Sequence, residues 1–262
     1  MRLLKFNTIE KGTFGPRHKK VDGLVIHYTA TSLPRITSYR TSQEVKYFNS
    51  LINRALLLPG LDKQVAANLQ LIFDKDQEIS DGMRLCIQAA GLPRQASWHY
   101  IVSSLPIGVY NDSLMICDGT KVDADVVEFV NPQFQSHHVG NLNTKTNERS
   151  IGIENCLPQP LFKTVSENEA RCHFENLGWH DIALLKGPDG TKYWYPIPNQ
   201  FQMNGLFDAC EYAIKQYPDD IYWIGGHVLF SRDRIDPDPP FNLNIVREEM
   251  KKRFGKEFKP KP

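Results

Sequence analysis

The sequence has almost no net charge: 31 Lys and Arg against 30 Asp and Glu leave a formal charge of +1 over 262 residues. Basic side chains are spread thinly except at the far C-terminus, so the electrostatic footprint of a duplex-binding domain is missing and no nucleic-acid partner is expected. No apolar run approaches the roughly 18 residues of a membrane span, which argues against membrane insertion. The first twenty residues place Lys5, Glu10, Lys11 and Arg17 where a signal peptide needs its apolar stretch, and the expectation is a chain made in the cytoplasm without a signal peptide. Cysteine is sparse and scattered. Cys86, Cys117, Cys156, Cys172 and Cys210 form an odd set with no C-x-x-C pair, which excludes a disulfide framework and a zinc ribbon and reads as reduced, mostly buried small side chains. There is no internal repeat, and the only biased tract is the Lys-rich tail Lys251 to Pro262, expected as a solvated, frayed end.

Hydrophobic content of 41% is enough for one large domain with a substantial core. Gly23 to Ala30, Ser150 to Asn155 and Ile221 to His227 are short apolar, β-branched runs that end in polar residues, the pattern of buried strands delivering side chains to one edge. Ser97 to Ser103 has the same form more weakly, and Leu114 to Cys117 before Asp118-Gly119 reads as an edge hairpin. A capping box at Thr41 to Glu44 followed by Val45, Phe48, Ile52 and Leu56 predicts a helix, with further helices over Val65 to Phe73 and Gly82 to Ala90. Asn199 is placed to cap a helix with the stripe Met203, Leu206, Phe207, Cys210, Ala213 and Ile214, and Leu243 to Phe254 forms a terminal helix. Strands alternating with helices give an α/β domain.

His27, Glu154 and His227 each end a predicted strand, so a central sheet brings all three to one rim, where α/β sheets place their sites. Asp236 follows nine residues after His227 in the proline-rich turn Asp236-Pro237-Asp238-Pro239-Pro240. Two imidazoles and a carboxylate with an open fourth position is the ligand set of a catalytic zinc, and a spare carboxylate nearby supplies a general base. No H-E-x-x-H helix is present, so the common metalloprotease pattern is not met.

These motifs stand in the order Val25-Ile26-His27-Tyr28-Thr29-Ala30, Ser97-Trp98-His99-Tyr100-Ile101-Val102, His138-Val139-Gly140, Asn147-Glu148-Arg149-Ser150-Ile151-Gly152-Ile153-Glu154, Gly226-His227 and Asp236 to Phe241. In that order the chain resembles the zinc-dependent N-acetylmuramoyl-L-alanine amidases of the peptidoglycan recognition protein type. The resemblance implies a mixed central β-sheet flanked by helices, with a helical insertion at about 33–96 after the first ligand strand. It implies one domain over 1–255 and a basic tail over 256–262. It makes His27, His227 and Asp236 the Zn2+ ligands, Glu154 the catalytic acid/base, and His138 and Asn147 substrate-binding residues, with His99 structural. Arg234 stands where many members have Lys; it can stabilise an oxyanion but cannot shuttle a proton. Asp236 and Trp98 place the chain with the Asp-ligand, Glu-base branch.

The implied substrate is peptidoglycan or a muropeptide, cleaved between N-acetylmuramic acid and L-alanine. Because the insertion adds surface beside the site, the expected role is a delivered lytic enzyme, an antibacterial effector or phage lysin. Such an enzyme acts in the periplasm or cell wall after non-Sec delivery, with a secretion carrier or an immunity or inhibitor protein as a further partner. The rivals are a non-catalytic peptidoglycan-binding module, a zinc peptidase acting on stem peptides, and a cytoplasmic muropeptide-recycling amidase.

Overall fold

The computed structural model describes residues 3–5, 17–29, 35–38, 50, 52–54, 56–57, 78–91, 98–107, 109–110, 124–139, 144–230, 236–237 and 239–261. Among them, twelve strands and five labelled helices run in the order β1 Leu4–Lys5, β2 Gly23–Tyr28, β3 Ile36–Ser38, β4 Glu78–Ser80, α1 Asp81–Gly91, β5 Tyr100–Ile107, β6 Val109–Tyr110 and β7 Ala124–Glu128. They continue with α2 Thr144–Arg149, β8 Ser150–Asn155, β9 Leu161–Phe162, α3 Glu167–Asn176, β10 Ile182–Lys186, β11 Lys192–Pro196, α4 Gln200–Gln216, β12 Trp223–Gly226 and α5 Leu243–Phe254.

Six strands form the main sheet in the order β1-β7-β5-β8-β2-β12. It is mixed: β5, β8, β2 and β12 are mutually parallel neighbours, and β7 runs antiparallel to β5. Every residue of β2, β8 and β12 is buried, which is why these strands appear in the sequence as continuous apolar runs rather than alternating ones. Side chains still alternate between faces. Leu24, Ile26 and Tyr28 of β2, with Ile151 and Ile153 of β8, join the main core together with Leu206, Ala209, Cys210, Ala213 and Ile214 of α4. Val25 lies in a separate buried cluster with Val139 and Trp223. By the same alternation, His27 and the row Ser150, Gly152, Glu154 share Val25's face, turned away from α4.

The α4 helix begins as expected, Asn199 accepting a hydrogen bond from the backbone N–H of Gln202 at 2.8 Å. At the far end of the chain α5 spans Leu243–Phe254 as the pattern predicts and closes on Gly255 in the left-handed conformation (φ 67). The tail differs from expectation. Instead of fraying, it lies along β12: Lys259 N–H donates to Tyr222 O, Ile224 N–H donates to Lys259 O, Phe258 is buried, and the Lys261 ammonium sits 3.6 Å from the Phe230 ring centroid. A backbone ladder and one buried aromatic outweigh the polar composition.

The segment between β2 and β5 is also not helical throughout. Its described residues include α1 and a helical stretch at 50, 52–54 and 56, but β3 and β4 pair antiparallel there, and β6 joins them in a three-stranded sheet. The expected helix over Val65 to Phe73 and the hairpin at Leu114 to Cys117 lie outside the described residues. A second small antiparallel sheet, β10-β11-β9, and the helix α3 form between β8 and α4, where the sequence reading placed no element.

Asp81 ties the inserted segment to the main sheet. It is fully buried at the start of α1, where Oδ1 accepts from Gly82 N–H (2.7 Å), Ser103 Oγ (2.9 Å) and Ser104 N–H (3.2 Å), and Oδ2 meets Ser104 Oγ. Burial pushes its pKa up to about 6, and the bonds from Ser104 and Ser103 hold it from going higher. A carboxyl whose pKa is raised on folding contributes stability that is present below its unfolded value of about 3.9 and lost as pH rises through the folded one. Asp81→Asn places an N–H donor opposite Ser104 Oγ as the protonated acid does. Equilibrium unfolding at pH 4 and pH 7 is expected to show the parent losing stability relative to the variant across that interval; parallel behaviour of the two chains would refute the assignment.

Candidate metal centre

Registered pairing builds the centre. In the parallel ladder His27 sits opposite Glu154, and Ile26 sits opposite Gly226, so the residue after Gly226, His227, reaches the same level on the other side of β2. Neighbouring strands are about 4.8 Å apart, and register partners point to the same face, so the His27 and Glu154 side chains start side by side. His227 opens a single 3-10 turn, His227–Leu229, directly at the end of β12. Asp236 is brought back to that turn by the bond from Val228 N–H to its carbonyl (3.0 Å), and the following loop is anchored where Phe241 N–H donates to Pro237 O and the Phe241 ring is buried.

His27 Nδ1 and His227 Nδ1 lie 3.5 Å and 3.3 Å from Asp236 Oδ2. One ligand atom from each of the three residues falls within 4.8 Å of the others, and all three side chains are nearly or fully buried. Two donors at zinc-ligand bond lengths on a tetrahedral ion are about 3.4 Å apart, so the spacing of this donor set fits one such ion. Burial alone pushes the Asp236 carboxyl up, but the His227 and His27 rings facing it hold it well below the usual carboxylate range. The carboxylate is therefore charged and ready to ligate.

Glu154 is also buried, one strand over from His27. The four residues expected to act together, His27, His227, Asp236 and Glu154, thus gather on one rim and one face. Arg234 lies outside the described residues.

His138 and Asn147, expected at the substrate, are instead engaged inside the protein. His138 is buried, its Nδ1 3.1 Å from His27 Nε2 and its Nε2 3.1 Å from Ser150 Oγ. Burial first, then the neighbouring His27, His99, Arg17 and His227 groups, push its pKa well below the ordinary histidine value. Asn147 is buried, and its Oδ1 accepts from the backbone N–H groups of His138 (3.2 Å) and Val139 (3.1 Å), which holds the segment carrying His138. His99 is a structural residue, as expected: its Nδ1 accepts from Gly152 N–H at 2.9 Å, and burial followed by Arg17's charge keeps it neutral.

Arg17 is a residue the motifs did not mark. Its guanidinium donates to the carbonyls of Pro132 (2.7 Å), Asn147 (3.0 Å), Glu148 (2.6 Å) and Ser150 (2.9 Å), stitching the loop before β8 to the sheet from beneath the histidines. Burial lowers its pKa to about 10, with Tyr217 and Glu148 opposing. No sequence signal separates this Arg from a surface one, because all four carbonyls come from distant segments.

A surface cavity of about 500 Å³ lined by Lys19, Lys20, Asp22, Arg149 and Tyr222 lies at the opposite end of the same strands. There Lys20 pairs with Asp220, Lys19 with Glu148 and Arg149 with Asp22, and none of the lining residues belongs to the metal centre.

No protein-family model matches the chain, and no curated protein matches it. Among solved structures, the chain is similar to the N-acetylmuramyl-L-alanine amidase AmiD from E. coli, in complex with anhydro-N-acetylmuramic acid-L-Ala-D-gamma-Glu-L-Lys, at 17% identity and a TM-score of 0.38. That match covers 88% of this chain and 58% of AmiD's. It is similar to AmpDh3 from Pseudomonas aeruginosa at 18% identity and a TM-score of 0.41, over 95% of this chain and 66% of that one. A selenomethionine derivative of AmpD matches at 14% identity and a TM-score of 0.38, over 95% and 99% of the two chains. The chain thus spans less than two thirds of the length of the first two.

Proposed function

We propose that the chain is a zinc-dependent N-acetylmuramoyl-L-alanine amidase, hydrolysing the amide between the lactyl group of N-acetylmuramic acid and L-alanine in peptidoglycan. The observation that carries this reading is the convergence of His27, His227 and Asp236 within 4.8 Å beside Glu154, in register on the adjacent strand. Motif order supplies the substrate class.

A zinc ion held by His27, His227 and Asp236 supplies Lewis acidity toward a carbonyl and a lowered pKa for water. Glu154 takes the proton of the attacking water and returns it to the leaving amine, which a buried carboxylate with no place in the ligand set is positioned to do. The fixed negative charge of Asp236, facing both imidazoles, would offset the positive charge of such an ion. Arg234, two residues before Asp236, is proposed to stabilise the oxyanion. His138 and Asn147 are not assigned to the substrate in this reading, because their polar atoms serve His27 and the backbone.

The role proposed for the activity is lysis of polymeric wall by a delivered enzyme, an effector or a phage lysin. The support is the long segment between β2 and β5, whose described residues add the helix α1 and the strands β3 and β4, extra surface that a soluble muropeptide does not need. Mass spectrometry of digested sacculi tests both levels. Free stem peptides with intact glycan are expected; cleaved stems would indicate a peptidase, and unchanged wall with binding a non-catalytic module. Activity confined to soluble muropeptides, with no loss of viability when the chain is expressed behind an export signal, would overturn the lytic role and leave the chemistry standing.

A further inference from the structure

A hydroxyl has one proton to give, and Ser150 gives it to the carbonyl of Thr146, 2.7 Å away. The same Oγ lies 3.1 Å from His138 Nε2 and can only accept there, so the proton of the His138 ring is on Nε2. A neutral imidazole protonated at Nε2 presents a lone pair at Nδ1, and that nitrogen faces His27 Nε2 at 3.1 Å. The His27 proton therefore sits on Nε2. Its Nδ1 is left with the lone pair, and Nδ1 is the nitrogen that looks toward Asp236 and His227.

Three further features of this chain serve that arrangement. A Cβ at position 152 would come within 2.4 Å of His138 Cγ, so only Gly152 lets the ring lie against β8 between Ser150 and Glu154. Asn147 Oδ1 pins the backbone N–H groups of His138 and Val139. The His138 ring meets His27 edge to face, with centroids 5.3 Å apart, and is sealed from water, so solvent does not offer His27 Nε2 an alternative partner.

We infer that His138 is a positioning residue: through the chain Thr146 O, Ser150 Oγ, His138, His27 it fixes the His27 tautomer with the Nδ1 lone pair aimed into the metal centre. This rests on the metal-site reading above and gives a buried histidine, expected at the substrate, a different task. Outer partners of this kind orient ligand imidazoles and raise their basicity, and their loss typically costs about 10- to 100-fold in metal affinity.

The test uses the full chain, the variants His138→Phe and His138→Asn, and two readouts. Asn keeps an acceptor oxygen close to where the ring's Nδ1 stands; Phe removes it. Long-range 1H–15N correlation spectra of the metal-free protein at pH 8 are expected to place the His27 proton on Nε2 in the parent and in His138→Asn, and to lose that preference in His138→Phe. Competition titration with zinc is expected to show about 10- to 100-fold weaker binding in His138→Phe, largely restored in His138→Asn. A parent His27 protonated on Nδ1, or a folded His138→Phe chain with unchanged His27 spectra and zinc affinity, would overturn the inference. The metal reading fails separately: a parent that takes up no zinc while its His27 proton sits on Nε2 sinks that reading and leaves the ring assignment in place.

Discussion

Glu154→Gln is expected to retain zinc and to lose amide hydrolysis by about 10²- to 10⁴-fold, the range a positioned general acid/base contributes. Glutamine keeps the shape and the hydrogen-bonding reach of the side chain on β8 but cannot take a proton. The prediction is sharp because Glu154 is not among the three residues whose ligand atoms converge, yet it is buried in register with one of them. Steady-state kinetics on a soluble muropeptide, paired with metal analysis of the same preparation, checks it. Activity within a few-fold of the parent would remove Glu154 from the mechanism, and loss of zinc together with activity would move it into the ligand set.

The second large effect concerns the ligands. His27→Ala and Asp236→Ala are each expected to weaken zinc by more than the roughly 100-fold that marks the upper end for an outer partner, because each removes a donor outright. Asp236 matters doubly: its Oδ2 lies within 3.5 Å of both imidazole nitrogens, and without that charge two buried histidines face each other, ring centroids 4.6 Å apart, with no anion between them. Dialysed variants assayed for zinc content should come out depleted. Stoichiometric zinc in both would contradict the assignment.

How much of this was legible beforehand depended on how local the determinant was. The rim carrying His27, Glu154 and His227 could be read because parallel strands buried on both faces leave unbroken apolar runs, and the residue ending each run marks the rim. Asn199 and the α4 stripe were legible for the same reason, a cap followed by helical spacing. The α3 helix was missed although Ser166 and Glu169 form a full capping box, because only Ala170 and Phe174 are buried and the apolar stripe is too thin to register. The β10–β11 hairpin likewise hid behind a short Pro188-Asp189-Gly190 turn, whose Gly190 takes φ 83. His138 and Arg17 were illegible in a deeper sense. Nothing beside His138 in sequence says that its ring nitrogens meet His27 and Ser150, or beside Arg17 that it will meet four carbonyls from segments over a hundred residues away; those facts exist only after the sheet forms.

In the proposed reaction, water adds to the carbonyl of the lactyl–alanine amide. Hydrolysis of a purified N-acetylmuramoyl peptide by the zinc-loaded chain in 18O-labelled water measures that directly. One 18O is predicted in the lactyl carboxylate of the released N-acetylmuramic acid, with an unlabelled stem peptide bearing a free alanine amine. Label in a carboxylate of the stem peptide, or no labelled product at all, would contradict it.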